Sequence, residues 1–273
     1  MKDFIKMFFA SLLAGGSFFF LGLIILISMG GEPEIKIEKN SVLHLTLSGQ
    51  INERSFDNPL SSFDFVSMSS ESSMGLNDLV AALKHAKTDE NIDGIYLDFG
   101  WYSGGFSTLK RLRDALIDFK ESGKFIYCYQ EVYSQRDYFL ASAADSIFLN
   151  PTGGMEWRGI GTQVIYYTKA LKQFGVEPQI IRGSNNKFKS AVEPYLTEQM
   201  SDANRLQLST LLNDVWNFTT QAVGESRGVS NQDLQDYANQ APMQTAKEAL
   251  SKKLVDVVGY EDEFLAAYKA RTH

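Results

Sequence analysis

The chain opens with an uncharged run from Met7 to Gly31, whose apolar block reaches from Phe18 to Ile27. At ~1.5 Å per residue, a helix over this run exceeds the ~20 residues that a bilayer crossing requires. Lys2 and Lys6 precede it, and Glu32 and Glu34 follow it. The positive-inside tendency therefore puts the N-terminus in the cytoplasm and the bulk of the chain on the far side. A cleaved signal peptide would have an apolar region of about 7–15 residues ending at a small-x-small site. This run is longer and ends Ile27-Ser28-Met29-Gly30-Gly31. The expectation is an uncleaved anchor over residues 1–31, with a cytoplasmic tip, and a charged linker over 32–40.

Past the linker the periodicity changes. Ser41–Leu47 alternates, with Leu43, Leu45 and Leu47 on one face and His44 on the other, and predicts a strand. Ser55–Ser73 is serine-rich with Phe56, Phe63 and Phe65 interspersed, and reads as a mobile loop with apolar anchors. Leu76, Leu79, Val80 and Leu83 mark one face of a helix over Leu76–Lys87. Ile92–Phe99 is a buried-strand run, and Leu109, Leu112, Leu116 and Phe119 mark a helix over Leu109–Phe119. Strands over Phe125–Tyr129 and Ser146–Leu149 enclose a short helix over Asp137–Ala144, and a helix over Gln163–Phe174 precedes a strand over Pro178–Ile181. This alternation predicts an α/β fold, a parallel sheet covered by helices.

The last third is mainly helical. Ser201–Ser226 predicts one amphipathic helix, capped by Ser201 and packed through Leu208, Leu211, Leu212, Val215 and Phe218. A helix over Ser230–Asn239 follows, and Thr245-Ala246-Lys247-Glu248 is a capping-box pattern opening another. A strand over Leu254–Gly259 and a helix over Asp262–Lys269 complete a layer belonging to the same domain, residues 41–273.

A net charge of −7 and a pI near 5.1 argue against a nucleic-acid partner. Cys128 is the single cysteine, so no intrachain disulfide forms, and its apolar surroundings predict a buried structural thiol. His44, His85 and His273 are too scattered for a metal site, and no cofactor is expected. None of them sits in a context suited to a Ser-His-Asp triad.

Two stretches could carry chemistry. Gly100-Trp101-Tyr102-Ser103-Gly104-Gly105-Phe106 joins a buried strand to a helix, where free backbone N–H groups can hold an anion or an oxyanion. No Gly-Lys-Ser/Thr follows, so it is not a phosphate-binding P-loop. Asn185–Tyr195 is a polar turn leading to Lys189, with Pro194 marking a helix start or break. A lysine acts as a general base only when desolvation or a neighbouring cation lowers its pKa. Phe188, Val192 and Tyr195 offer apolar cover, and Lys187 a cationic neighbour.

Taken in order, the Gly104-Gly105 loop, Tyr133-Ser134-Gln135-Arg136-Asp137-Tyr138, the strand Ser146–Pro151, Phe188-Lys189-Ser190-Ala191-Val192-Glu193-Pro194-Tyr195 and Thr245–Leu250 form a pattern. It resembles the N-terminal half of the long, double-domain form of the signal peptide peptidase A family, membrane-bound serine proteases of the Clp protease/crotonase-like fold. The likeness runs from the anchor to about residue 265 and is sharpest around Lys189.

The resemblance implies a Ser-Lys dyad that degrades signal peptides left in the membrane, with Lys189 as general base. It also implies assembly into rings, and a location in the bacterial inner membrane with the peptidase-like domain outside the cytoplasm. In that family a Ser-Gly-Gly-Tyr motif carries the nucleophile. Setting Tyr138 on its tyrosine puts Gln135 in the serine position, with Arg136 and Asp137 in place of the glycines. Ser134 is one residue out of phase, about 100° around a helix, and Ser190 adjoins Lys189 as an orienting neighbour. The implied chain is the lysine-bearing half, inactive alone, with its serine from a C-terminal half or a partner chain. A truncated or split product of a longer gene fits the same description. Two other readings follow from single features: a non-catalytic membrane scaffold from Gln135-Arg136-Asp137, and a crotonase-type acyl-CoA enzyme from the paired N–H groups.

Overall fold

The computed structural model describes residues 2–29, 36–55, 63–64, 69–70, 73–183 and 185–272, so most of the serine-rich loop, much of the linker and His273 lie outside the described residues. It separates into two units, Met1–Glu38 and Lys39–His273.

The first unit holds one helix among its described residues, α1 (Lys2–Met29), long and apolar enough over Lys2–Ile25 to cross a membrane. Its Ser11 and Ser17 hydroxyls donate back to the carbonyls of Met7 (2.9 Å) and Leu13 (2.8 Å). Internal satisfaction of this kind suits a helix with no water beside it.

The second unit begins with β1 (Ser41–Asn52), an isolated antiparallel pair β2 (Phe63–Asp64) and β3 (Ser69–Ser70), and β4 (Ser73–Gly75). Then come α2 (Leu76–Thr88), β5 (Ile92–Ser103), α3 (Phe106–Lys120), β6 (Phe125–Tyr133), α4 (Gln135–Ala141) and β7 (Ser146–Glu156). The chain continues through short helices α5 (Thr168–Gln173) and α6 (Glu193–Leu196) into α7 (Asp202–Arg227) and α8 (Asn231–Gln240). It ends with β8 (Met243–Thr245), α9 (Ala246–Ser251), β9 (Val257–Val258) and α10 (Glu261–Arg271).

Seven strands form one sheet in the order β4-β1-β5-β6-β7-β8, with β9 also on β7. Every pairing is parallel except β7 with β8. Such a sheet must be covered on both faces, and the alternation along its strands shows how. Leu45, Leu47, Ile95, Leu97, Ile126, Cys128, Ile147 and Leu149 join the main core together with the apolar stripes of α2 and α3. On the other face, Tyr129 and Phe148 pack on Phe264 of α10, with Tyr96 and Tyr127 beside them. Burial pushes the Cys128 thiol up to about 12, which leaves it an inert core residue, as its apolar run predicts.

One buried cation joins α3, α4 and α7. The Arg113 guanidinium, on a residue only 4% exposed, donates to the Phe139 carbonyl (2.5 Å) and the Ser142 hydroxyl (2.8 Å). It also donates to the Ala222 carbonyl (2.8 Å) and the Ser226 hydroxyl (2.7 Å). The bonded acceptors are all neutral, and burial lowers the guanidinium to about 10.

The structure corrects three readings. Pro178–Ile181 is not a strand: Ile181 is 100% exposed, and the β7 edge that could receive another strand is occupied by β8 and β9. The helix over Gln163–Phe174 shrinks to Thr168–Gln173, because the Tyr167 N–H is drawn to the Pro194 carbonyl (2.7 Å) and the Thr168 hydroxyl to the Thr197 carbonyl (2.5 Å). On α7 the buried stripe is Trp216, Thr219, Thr220, Val223 and Gly224, while Leu211 stays exposed. Phe218 sets that rotation by meeting Phe106 and Phe139, with ring centroids 5.6 and 6.3 Å away.

Candidate active site

Ligands of parallel α/β sheets bind beyond the carboxyl ends of the strands, where neighbours splay apart. The ladder between β5 and β6 stops at Leu97 and Cys128, yet β5 runs on to Ser103 against β1. The Gln130 side chain bridges the split by donating to the Phe99 carbonyl (2.7 Å). Beyond that bridge opens a crevice of about 950 Å³, lined by the ends of β5 and β7, the segment after β7, the starts of α3 and α4, and Thr219 of α7. Trp101 stands at its edge, 93% exposed.

The start of α3 lies on this crevice. Gly105 is its N-cap, with extended backbone and no side-chain cap, so the first-turn N–H groups have no capping acceptor. Neither Gly104 nor Gly105 has a positive φ, and an added Cβ would meet nothing closer than 3.6 Å at Gly104 and 4.0 Å at Gly105. The fold does not require these two glycines. What they leave is open space beside an uncapped helix end, suited to an oxyanion or carboxylate.

The start of α4 faces it and is fully engaged. Ser134 is the N-cap: its hydroxyl accepts from Asp137 N (3.2 Å) and donates to Asp137 Oδ2 (2.6 Å), while its own N–H donates to the same oxygen (3.0 Å). That is a capping box, and it holds the hydroxyl in a structural role. Gln135 Oε1 accepts from Arg158 N (2.8 Å), and Gln135 N donates to Glu156 Oε2 (3.2 Å). Glu156 also pairs with the Arg158 guanidinium (2.8 Å). Burial, then the Asp137 carboxylate, pushes the Tyr102 phenol well above its ordinary range, so it stays neutral, its oxygen buried in the crevice wall.

Lys189 is not among the residues lining the crevice. It stands exposed on a turn entered through Asn185, which adopts the left-handed conformation (φ 62°) that asparagine tolerates. Its N–H donates to the Asn186 carbonyl (2.9 Å). Phe188 and Tyr195 are themselves about half exposed, and the Lys187 ammonium lies 5.4 Å from the Phe188 ring centroid rather than beside a buried amine. Pro194 does mark a helix start, the first turn of α6.

Four residues on, Glu193 fixes this turn to the long helix, a role no sequence pattern announced. It is 8% exposed and accepts from the Ser201 hydroxyl (2.5 Å), Asn204 Nδ2 (3.0 Å) and Ser201 N (3.3 Å) at the start of α7. Burial opposes its ionisation, but these bonds outweigh it and hold the carboxyl below its ordinary range. Stability from a depressed carboxyl is present above the unfolded-state pKa and lost as pH falls through the folded-state one. Glu193→Gln should therefore cost about 1.5–3 kcal/mol at neutral pH, the worth of hydrogen bonds to a charged group. In denaturant titrations the gap to wild type should close as the pH is lowered below about 4.

The crevice thus unites the Gly104-Gly105 loop with the Ser134–Asp137 segment, and Lys189 stands on a separate, anchored turn. The sequence profile of peptidase family S49 matches residues 118–272, a span from the end of α3 through α10. The chain is 35% identical over 191 residues to "Protease 4" of Salmonella typhi, covering 67% of this chain and 31% of that protein. It is 30% identical over 232 residues to "Protease 4" of Haemophilus influenzae, covering 81% of this chain and 37% of that one. "Serine protease SPPA, chloroplastic" of Arabidopsis thaliana is 29% identical over 241 residues, covering 88% and 33%. The chain spans about a third of the length of the curated relatives it matches.

Proposed function

The chain belongs to peptidase family S49, and on that footing we propose that it is the base-donating half of a membrane-anchored serine peptidase of the signal peptide peptidase type. α1 serves as the anchor, in the bacterial inner membrane with the α/β domain on the extracytoplasmic side. Lys189 supplies the general base of a Ser-Lys dyad, and the serine comes from a second peptidase half, in the same polypeptide or in a partner chain. The observation that supports this reading is at the start of α4: Gln135 is tied to Arg158 and Glu156, and the Ser134 hydroxyl is engaged in a capping box, which favours a nucleophile supplied from elsewhere.

The chemistry is coherent. The serine-bearing half covers Lys189 when it docks, and the desolvated neutral amine takes the proton as the serine oxygen attacks the peptide carbonyl. The resulting ammonium then protonates the leaving amine, and water releases the acyl group by the same route in reverse. Signal peptides remaining in the membrane are the substrate class, and assembly with further copies encloses them.

A fluorophosphonate probe tests this, since its fluoride leaves as the serine oxygen–phosphorus bond forms. The full chain in detergent should give no adduct by intact mass. A serine-bearing S49 half mixed with it should be labelled far faster than that half alone. An adduct on this chain would overturn the reading. So would labelling of the other half that is indifferent to this chain, which would leave a non-catalytic membrane scaffold.

A further inference from the structure

A second recess lies on the sheet face that α10 only partly covers. Val42 and His44 of β1 and Tyr96 and Asp98 of β5 point to that face, and α10 ends its cover with Leu265 and Tyr268. The space left is about 460 Å³. Its walls carry three phenols, Tyr96, Tyr129 and Tyr268, and three carboxylates, Asp98, Glu131 and Glu261, with no lysine or arginine.

The carboxylates differ in how far they are engaged. Asp98 accepts from the Thr46 hydroxyl (3.2 Å) and lies 3.1 Å from His44 Nε2. Glu131 and Glu261 have no ion-pair partner among the described residues. The aromatic side is ordered: His44 stacks on Tyr96 with ring centroids 4.5 Å apart, and Tyr96 stacks on Tyr268 at 5.9 Å. Burial, then the charges of Asp98 and Glu261, raises the Tyr96 phenol well above its usual range, consistent with a negative field across the recess.

Aromatic faces and unpaired carboxylates together select a cation that is also partly apolar. A metal ion is a poor match, because among the described residues no three His, Cys, Asp or Glu side chains are grouped to hold one. A lysine or arginine side chain fits on both counts: its stem lies along the phenols and its head reaches the acids. Position favours a peptide as its carrier. Along β5, Tyr96 and Asp98 of the recess precede Gly100–Tyr102 of the crevice, and along β6, Tyr129 and Glu131 precede Ser134–Asp137. The recess lies on the α10 face and the crevice on the side of α3, α4 and α7, so an extended peptide that reaches both passes round the carboxyl ends of β5 and β6.

We propose that this recess is a peptide subsite for a lysine or arginine side chain, an exosite that selects basic peptides. The choice of a peptide rests on the peptidase reading, but binding here needs no turnover. The test is fluorescence anisotropy of the full chain in detergent, with labelled acetyl-Lys-Lys-Leu-Leu-amide against the same peptide with norleucine for lysine. The lysine peptide should bind at least about five-fold tighter, as one cation–π contact and one charge pair require, and high salt should shrink the difference. The double variant Glu131→Gln, Glu261→Gln should lose the preference with an unchanged unfolding midpoint. Equal binding of the two peptides, no binding of either, or a preference that survives in the double variant would overturn the proposal. Serine labelling can fail while this preference holds, or succeed while it is absent, so the two readings stand or fall separately.

Discussion

Arg113→Ala should lower the unfolding midpoint of the chain by roughly 10 °C, the largest stability effect of any single side chain described above. The guanidinium satisfies four acceptors on α4 and α7: the carbonyls of Phe139 and Ala222 and the hydroxyls of Ser142 and Ser226. Truncation removes all four of these bonds, leaving the Phe139 carbonyl only the Ser142 hydroxyl (3.0 Å), and opens a cavity beside Phe139, at about 1 kcal/mol for each lost bond. A total near 3–4 kcal/mol at about 2–4 °C per kcal/mol gives the expected shift. Arg113→Lys should recover only part of it, because an ammonium has three donors and lacks the planar fork. Differential scanning calorimetry in detergent reads both. A midpoint within about 2 °C of wild type would mean that the four bonds contribute no net stability.

Lys189→Ala should cut fluorophosphonate labelling of a complementing serine by about a hundred- to ten-thousand-fold, the usual worth of a general base. Lys189→Arg should do no better, since a guanidinium keeps its proton and cannot accept another. Both variants should unfold at the wild-type midpoint, because the side chain is exposed and its backbone bond to Asn186 is retained. Loss of labelling with intact stability isolates the chemical role. Unchanged labelling rates would remove Lys189 from the mechanism.

Much of the α/β layer is legible in the sequence because its strands are short apolar runs between helical stripes. Ile92–Phe99, Phe125–Tyr129 and Ser146–Leu149 all lie within strands, and each strand continues further, to Ser103, Tyr133 and Glu156. Those continuations carry glycine, proline and charge, and only pairing with a neighbour makes them strands. Pro178–Ile181 shows the converse, a strand-like composition without an edge to join.

The site divides in the same way. The glycine loop and the Tyr133–Asp137 segment stand out as motifs, and the fold brings them to one crevice. Ser134-x-x-Asp137 is visible as capping-box spacing, which assigns Ser134 to structure rather than chemistry. Arg113 was also within reach: four residues after Leu109 and three before Leu116, it sits on the packing face of α3 and not its solvated side. Glu193 was not, since its partners Ser201 and Asn204 meet it only when α6 folds back on α7.

The order in which the sheet is covered has a consequence for biosynthesis. α2 and α3 reach their face of the sheet while its strands are still emerging, but Phe264 on α10, which closes the face of Tyr129 and Phe148, lies near the end of the described chain. At ~5–20 residues per second, a nascent chain carries that aromatic face uncovered for on the order of ten seconds. During that interval it is a surface for chaperones or for unwanted pairing, and the first strands must wait for the last helix before the fold can close.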